Sequence, residues 1–365
     1  RKLHSENDKT ITTTTVEHDL VGVGFSGGGI RSATINLGIT QALQERGVFD
    51  HIDYMSTVSG GGYLGSSIST LMRYKFEPTG EVVEKPESHM AYSKTSNESE
   101  VKLDKRHDTF WDRFRWRVPP RALLSEMLMK LSERQKWVNL SDGGHIENLA
   151  GIELLRRRCK FIIIGDGEAD PELRFNGLAT LIRYARIDLG ISINIDPEAI
   201  RVDMSEDAVY RGKDNLSEEH CAFGTITYPP NGENGSKSEE GYLLYLKSSY
   251  SGDEDEIIKE YRYRNPTFPH QSTADQCFDE NQFECYRALG QHIGEKACEE
   301  LSIAHSSDLS LFNNFAEAMK TRAIVTMVSL QASLNEEKEK KELKWAESFG
   351  LFTEQLLRDS RKKKN

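Results

Sequence analysis

Cysteine is scarce in this 365-residue chain, and nothing about its placement suggests pairing. Cys159, Cys221, Cys277, Cys285 and Cys298 are odd in number, and no two stand in CxxC spacing. A disulfide framework and a cysteine zinc site are therefore not expected, and a reducing compartment is the simpler setting. Cys159 follows Arg156-Arg157-Arg158 and precedes an apolar run, so it reads as core rather than reactive. Basic excess is also missing. The net charge of −11 argues against general nucleic-acid binding, which needs a basic footprint, but permits a local basic patch on a membrane-facing surface. No run of about 18 apolar residues occurs, and no signal peptide is visible. The expected location is cytoplasmic or membrane-associated. The chain opens on Arg1 rather than Met, so the natural N-terminus is expected to lie upstream. No internal repeat is found.

What is present suits a sizeable core. Hydrophobic residues make up 37% and charged residues 29%, which fits one large α/β domain or two smaller ones. Leu20–Phe25 reads as a buried strand, Ser32–Gly47 as a helix stopped by glycine, Ile52–Val58 as a second strand and Gly61–Tyr74 as a second helix. Residues 77–109 lose this pattern and read as a polar linker or insertion. Phe110–Val118 alternates aromatic and basic residues. Trp137–Leu140 predicts a third strand leading into Ser141-Asp142, followed by a helix from about Ile146 to Arg158. Phe161–Ile164 predicts a buried strand, 172–186 a helix and Ile187–Ile195 an extended segment. Thr225–Tyr228 and Tyr242–Leu246 form a hairpin-like pair, and the chain is mainly helical after residue 273. Alternating strands and helices predict an α/β fold with a mostly parallel central sheet. Glu336–Lys344 reads as a solvated helix face. Trp345, Phe349, Phe352, Leu356 and Leu357 form an apolar stripe, read first as a docked terminal helix and second as a membrane-touching tail.

Three segments carry chemistry. Thr57-x-Ser59-x-Gly61 is a GxSxG-type elbow with threonine in the first glycine's place. A serine between strand and helix is presented as a nucleophile, and small neighbours, Gly60 and Gly61, let the turn close and substrate approach. The bland reading is a glycine-rich turn at a helix N-terminus. Serine needs a base. Asp142, at a strand end before Gly143-Gly144, fits that role, and its rival role is an N-cap. His51, His145 and His270 are minor alternatives among ten histidines that mostly lie in polar stretches. Gly27-Gly28-Gly29 can aim consecutive N–H groups at an oxyanion, and Arg31 can hold that loop or pair with a substrate phosphate. Gly22-Val23-Gly24-Phe25-Ser26-Gly27 also matches GxGxxG, but its first two glycines fall within the strand, which disfavours dinucleotide binding.

Together, Gly27-Gly28-Gly29-x-Arg31-Ser32, Ser56-Thr57-Val58-Ser59-Gly60-Gly61-Gly62-Tyr63, Asp142-Gly143-Gly144-His145-Ile146-Glu147-Asn148-Leu149 and Phe268-Pro269-His270-Gln271-Ser272-Thr273-Ala274-Asp275-Gln276 resemble patatin-like phospholipases, above all the long bacterial type, a family related to cytosolic phospholipase A2. The resemblance covers most of 20–76 and 137–293. It implies a three-layer α/β/α fold and hydrolysis of phospholipid or other lipid esters by a Ser59–Asp142 dyad through an acyl-enzyme. It also implies Gly27, Gly28 and Gly29 as the oxyanion loop, Arg31 and Gly60 against substrate, and neither metal nor organic cofactor. The implied domains are a polar segment 1–18, a hydrolase domain 19–330 with an insertion at about 77–109, and a charged, amphipathic helix 331–365. A membrane surface is an expected partner and nucleic acid is not. The interval from Ser59 to Asp142 is shorter and more polar than the family's usual one, so a compact member or absent segments are expected. A silent lipid-binding or scaffold module on the same fold is the alternative.

Overall fold

The computed structural model describes residues 16, 19–76, 82–84, 142–201, 216–230, 237–303, 313–333, 335, 338, 340 and 341. The expected aromatic-basic segment, the strand at 137–140 and the apolar stripe at 345–357 lie outside these, as does most of the 77–109 insertion. The chain divides into two units, residues 69–142 and the remainder. Among the described residues, the smaller unit holds an antiparallel pair that falls in part within the expected linker, β3 (Tyr74–Phe76) with β4 (Val82–Glu84).

The larger unit is built around a six-stranded sheet. In chain order its strands are β1 (Val21–Phe25), β2 (Tyr54–Thr57), β5 (Phe161–Asp166), β6 (Ser192–Ile195), β7 (Cys221–Tyr228) and β8 (Glu239–Lys247). They lie side by side as β2-β1-β5-β8-β7-β6. Pairing is parallel from β2 through β8 and antiparallel on both sides of β7. The parallel pairs require crossovers, here carried by helices. They include α1 (Gly29–Glu45), α2 (Gly60–Arg73), which runs on past residue 68 into the smaller unit, α3 (Ile152–Arg156) and α4 (Asn176–Leu189), with α5 (Glu256–Arg264) and α6 (Glu280–Glu300) after β8. A further helical stretch covers 313–333.

Strand side chains alternate between two cores, as the two-residue period dictates. Val21, Val23 and Phe25 of β1 and Phe161 and Ile163 of β5 pack with Ile35 and Ile39 of α1, Leu289 and Ile293 of α6, and Phe315 and Met319. Ile162 and Ile164 of β5 and Leu243 and Tyr245 of β8 pack with Leu154 of α3 and Leu178 and Leu181 of α4 on the opposite face. This is the three-layer α/β/α arrangement expected from the sequence. Gly22 and Gly24 face the second core. A methyl on Gly22 would lie 2.8 Å from Leu154 Cδ2, and one on Gly24 would lie 2.9 Å from the Leu149 carbonyl oxygen. The literal GxGxxG is thus a packing feature within β1.

Helix boundaries depart from the sequence reading where side chains outcompete the helix. The helix expected from Ile146 is only Ile152–Arg156, because the Glu147 carboxylate accepts the N–H groups of Leu149, Gly151 and Ile152 and Ala150 stands at φ 61°. Similarly, Asp170 takes the N–H groups of Arg174 and Phe175, which delays α4 to Asn176. The extended segment expected from Ile187 starts later, since α4 continues to Leu189 and ends on left-handed Gly190. Helix α5, which the sequence reading passed over, is capped by Asp255, whose side chain accepts from Ile257 and Ile258 N–H.

Helices α1 and α6 meet through glycines. A methyl on Gly38 would lie 2.0 Å from the Arg287 carbonyl oxygen, and one on Gly290 would lie 2.0 Å from that of Ile35. In an exposed helix, alanine in place of glycine adds stability. Here the collision with backbone wins. Gly290→Ala is expected to destabilise the fold by about 1–3 kcal/mol, read as a lowered denaturation midpoint. An unchanged or raised midpoint would contradict this packing.

Candidate active site

Two strand–helix turns, β1–α1 and β2–α2, meet at the carboxyl ends of adjacent parallel strands, where open α/β sheets form their ligand crevice. Val58 continues β2 for one bond, its N–H donating to the Phe25 carbonyl at 3.1 Å. Ser59 then turns at φ 47°, a left-handed conformation that costs a non-glycine residue on the order of 1 kcal/mol, and is exposed. Helix α2 begins at the next residue. Gly61 N–H returns to the Ser26 carbonyl at 3.0 Å. A methyl on Gly60 would lie 2.1 Å from the Gly29 carbonyl oxygen, and one on Gly61 would lie 2.3 Å from that of Phe25. Only glycine permits this approach. Room for Thr57 comes from Gly65, where a methyl would lie 2.7 Å from Thr57 Cγ2.

The three glycines after β1 divide their duties. Gly27 N–H donates to the Asn148 carbonyl at 2.8 Å, which removes it from the expected oxyanion loop. Gly28 (φ 133°) caps α1 and Gly29 (φ 63°) opens it. First-turn N–H groups have no partner within a helix, and neither of these two is matched to a protein acceptor among the described residues. Both sit at the positive end of α1. The next N–H, of Ile30, is taken by Gln276 Oε1 at 3.1 Å. Below them, Ser32 Oγ donates to the Ser26 carbonyl at 2.6 Å, and Gly167 N–H donates to Ser26 Oγ at 2.8 Å.

Arg31 serves the loop. It is buried, and its Nε donates to the Gly167 carbonyl at 2.9 Å, Nη1 to that of Gln271 and Nη2 to Thr273 Oγ1 at 3.1 Å. Every guanidinium nitrogen thus has a protein partner, so the loop-holding role is the one observed. Burial lowers its pKa, with Tyr286, Asp166 and Glu168 opposing.

Asp142 is exposed and stands directly before the 3-10 turn Gly143–His145. That turn runs beside the elbow: a methyl on Gly143 would lie 3.7 Å from both γ-carbons of Val58. His145 is exposed and lines a cleft of about 500 Å³ with Gly28, Asn148, Glu168, Arg183 and Tyr184. His51 lies on the Phe49–His51 turn that precedes β2, at the opposite end of that strand from Ser59. His270 Nδ1 accepts the Asp170 N–H at 3.2 Å. Burial, and then Lys247, Arg31 and Arg262, hold its pKa well below the usual value, so it is neutral and structural.

The polar floor beneath the loop centres on buried Asp166, at the end of β5. Its Oδ2 lies 3.0 Å from buried Lys247 Nζ and accepts from Tyr245 OH at 2.5 Å, while Oδ1 accepts Glu168 N–H at 2.8 Å. Lys247 Nζ also donates to the Glu168 carbonyl at 3.1 Å. Glu168 accepts from Asn148 Nδ2. Its carboxyl is pushed up to about 7, by burial first and then by Asp166.

No family model matches the chain, and no curated protein matches its sequence. Among solved structures, human GIVD cytosolic phospholipase A2 in complex with methyl γ-linolenyl fluorophosphonate inhibitor and terbium chloride is similar at 12% identity and TM-score 0.40, over 83% of this chain and 60% of that one. A second structure of that enzyme with the fluorophosphonate gives 11% and 0.38, over 84% and 59%. The chain spans about three fifths of the length of these neighbours. No helix among the described residues is long and apolar enough to cross a membrane.

Sequence reasoning assigned no part to Asn148, Glu168, Gln276, Asp166 or Lys247. Asn148 and Gln276 stand inside motifs that the resemblance singled out. Nothing in sequence announces the other three, since Asp166 and Lys247 end strands that read as plain apolar runs.

Glu168 has a pH signature. A carboxyl whose folded pKa exceeds its unfolded value adds stability at low pH and loses it as pH rises through the folded pKa. Between pH 4.5 and about 7, the wild type is expected to lose stability relative to Glu168→Gln. Denaturation midpoints of the two proteins across that range test this, and parallel curves would refute it.

Proposed function

We propose that this chain is a serine lipid acyl hydrolase of the phospholipase A or lipase–esterase type, acting through Ser59 and Asp142. The observation that carries the reading is the left-handed Ser59 elbow packed backbone to backbone on Gly29, with the N–H groups of Gly28 and Gly29 unspent beside it. A nucleophile and fixed anion donors held in one rigid unit are what acyl transfer requires.

The steps follow from the residue types. Asp142 accepts the Ser59 hydroxyl proton as Oγ attacks the ester carbonyl. The oxyanion takes hydrogen bonds from Gly28 and Gly29, with Gly60 N–H, the residue after the nucleophile, as the third donor. The tetrahedral intermediate collapses, the proton on Asp142 passes to the departing alkoxide, and the acyl group stays on Ser59. Water then attacks the acyl-enzyme with Asp142 as base, and the proton so taken passes to Ser59 Oγ as its bond to the acyl carbon breaks, releasing the fatty acid and restoring the serine. No metal or organic cofactor enters these steps. Support for a lipid ester, with phospholipid first, comes from the four resembling motifs. A membrane surface is then where substrate is met. Arg31, spent on its own protein, supports the reaction by holding the loop.

A fluorophosphonate probe is expected to label Ser59, seen by peptide mass, and to leave Ser59→Ala unlabelled. Asp142→Asn is expected to lower turnover of an acyl ester about 10²–10⁴-fold, while His145→Ala stays active. Equal loss in both would return a histidine to the mechanism. Folded wild-type protein that binds vesicles and takes no label would instead be a silent lipid-binding module.

A further inference from the structure

Three distant segments bring two histidines and two carboxylates together away from the glycine motifs. His220 stands directly before β7, Asp253 and Glu254 lie on the turn after β8, and His292 projects from α6. One ligating atom from each lies within 4.8 Å of all the others. We propose that these four residues form a zinc site that ties the β7–β8 edge of the sheet to α6. It goes beyond the acyl-hydrolase reading and does not depend on it.

The donor set suits the ion. Imidazole nitrogen and carboxylate oxygen bind zinc at about 2.0–2.2 Å, and tetrahedral closure separates such ligands by about 3.3 Å. The observed separations bracket that value: 2.8 Å for His292 Nε2 to Asp253 Oδ1, 3.7 Å for His220 Nε2 to Glu254 Oε1 and 4.0 Å for His220 Nε2 to Asp253 Oδ1. Side-chain rotations that draw in the wider separations, all within 4.8 Å, close the site.

The surrounding groups orient the ligands. His220 Nδ1 lies 2.8 Å from Ser249 Oγ. That hydroxyl also reaches the Glu219 and Lys247 carbonyls, both at 3.4 Å. With its proton directed to a carbonyl, Ser249 accepts from Nδ1–H and leaves the Nε2 lone pair facing the carboxylates, the tautomer a metal needs. Asp253 divides its oxygens: Oδ2 is held by Lys296 Nζ at 2.8 Å, while Oδ1 faces the histidines. Ser251 Oγ donates to Asp253 Oδ1 at 2.5 Å and lies 3.0 Å from His220 Nε2, so a bound ion takes over the place of this hydroxyl between the two. Glu254 is buried with both oxygens oriented by backbone, Oε1 by Ser251 N–H at 2.8 Å and Oε2 by Gly252 N–H at 2.7 Å. Glu254 is out of contact with solvent, and a buried carboxylate calls for a compensating positive charge. Lys296 supplies charge to Asp253 and Arg262 acts electrostatically on Glu254; a divalent cation held by the four groups adds positive charge at both carboxylates. Sequence spacing hides this cluster, because only the adjacent pair Asp253-Glu254 is local.

Equilibrium dialysis of tag-free, full-length protein against micromolar zinc, followed by metal analysis, tests the site. One zinc per chain is expected in the wild type, with affinity lowered about tenfold or more in His292→Asn and in His220→Asn. Lys296→Ala removes a positive charge without removing a ligand and is expected to bind at least as tightly. Zinc is also expected to raise the thermal midpoint of the wild type and of Lys296→Ala, and not that of His292→Asn, whose near-ultraviolet circular dichroism reports its fold. Cobalt in place of zinc is expected to give the intense visible bands of a tetrahedral ion. Absence of zinc from folded wild-type protein, or equal binding by a folded His292→Asn, would overturn the proposal.

Discussion

Gly60 and Gly29 approach so closely that a methyl on Gly60 would sit 2.1 Å from the Gly29 carbonyl oxygen. Because the contact is between main chains, no rotamer change can relieve it. The turn that carries Ser59 and the turn that carries the N–H groups of Gly28 and Gly29, unmatched among the described residues, therefore cannot shift independently. Preorganised donors are effective when they need not reorganise as charge develops, and here the N–H groups of Gly28 and Gly29 share one rigid frame with Ser59. The strain of Ser59 at φ 47° persists because both flanks are pinned, by Val58 N–H to Phe25 and by Gly61 N–H to Ser26.

The polar groups beneath this frame hold it in register. Asp166 and Lys247 end neighbouring parallel strands, and their buried contact at 3.0 Å fixes where each strand stops and its loop begins. Such a pair adds little net stability, since desolvation offsets attraction, but leaving one member alone is costly. Arg31 applies the same logic to the loop at 268–276, anchoring it through Gln271 and Thr273. Gln276 in turn reaches Ile30 N–H. Each charged side chain here acts chiefly by position.

Much of the fold was legible because it rests on short-range rules. Short apolar runs marked β1 and β5, a hairpin-like pattern marked β8, and glycines after strands marked both turns. Elements were misjudged where a local side chain altered the backbone's accounts: Glu147 shortened α3, and Asp170 displaced the start of α4. The glycine loop was legible as a motif and not as separate donors. That Gly27 N–H is spent depends on Asn148, more than a hundred residues away. Arg31 could be read two ways from sequence, and only its three partners distinguish them. The His220, Asp253, Glu254 and His292 cluster was invisible because its spacing is set by the β7–β8 pairing and by α6.

The order in which the parts are synthesised has a consequence of its own. Strand β1 needs β5 beside it, β5 needs β8, and α1 rests on α6, so the first described strand is completed by segments made well after it. Domains generally fold as units during synthesis at about 5–20 residues per second, and long-range pairings are slow to close. For tens of seconds on the ribosome, the Ser59 turn therefore exists without the brace from Gln276 or the floor from Lys247. The geometry of this turn is therefore complete only once β8 and the loop that carries Gln276 have emerged and folded back.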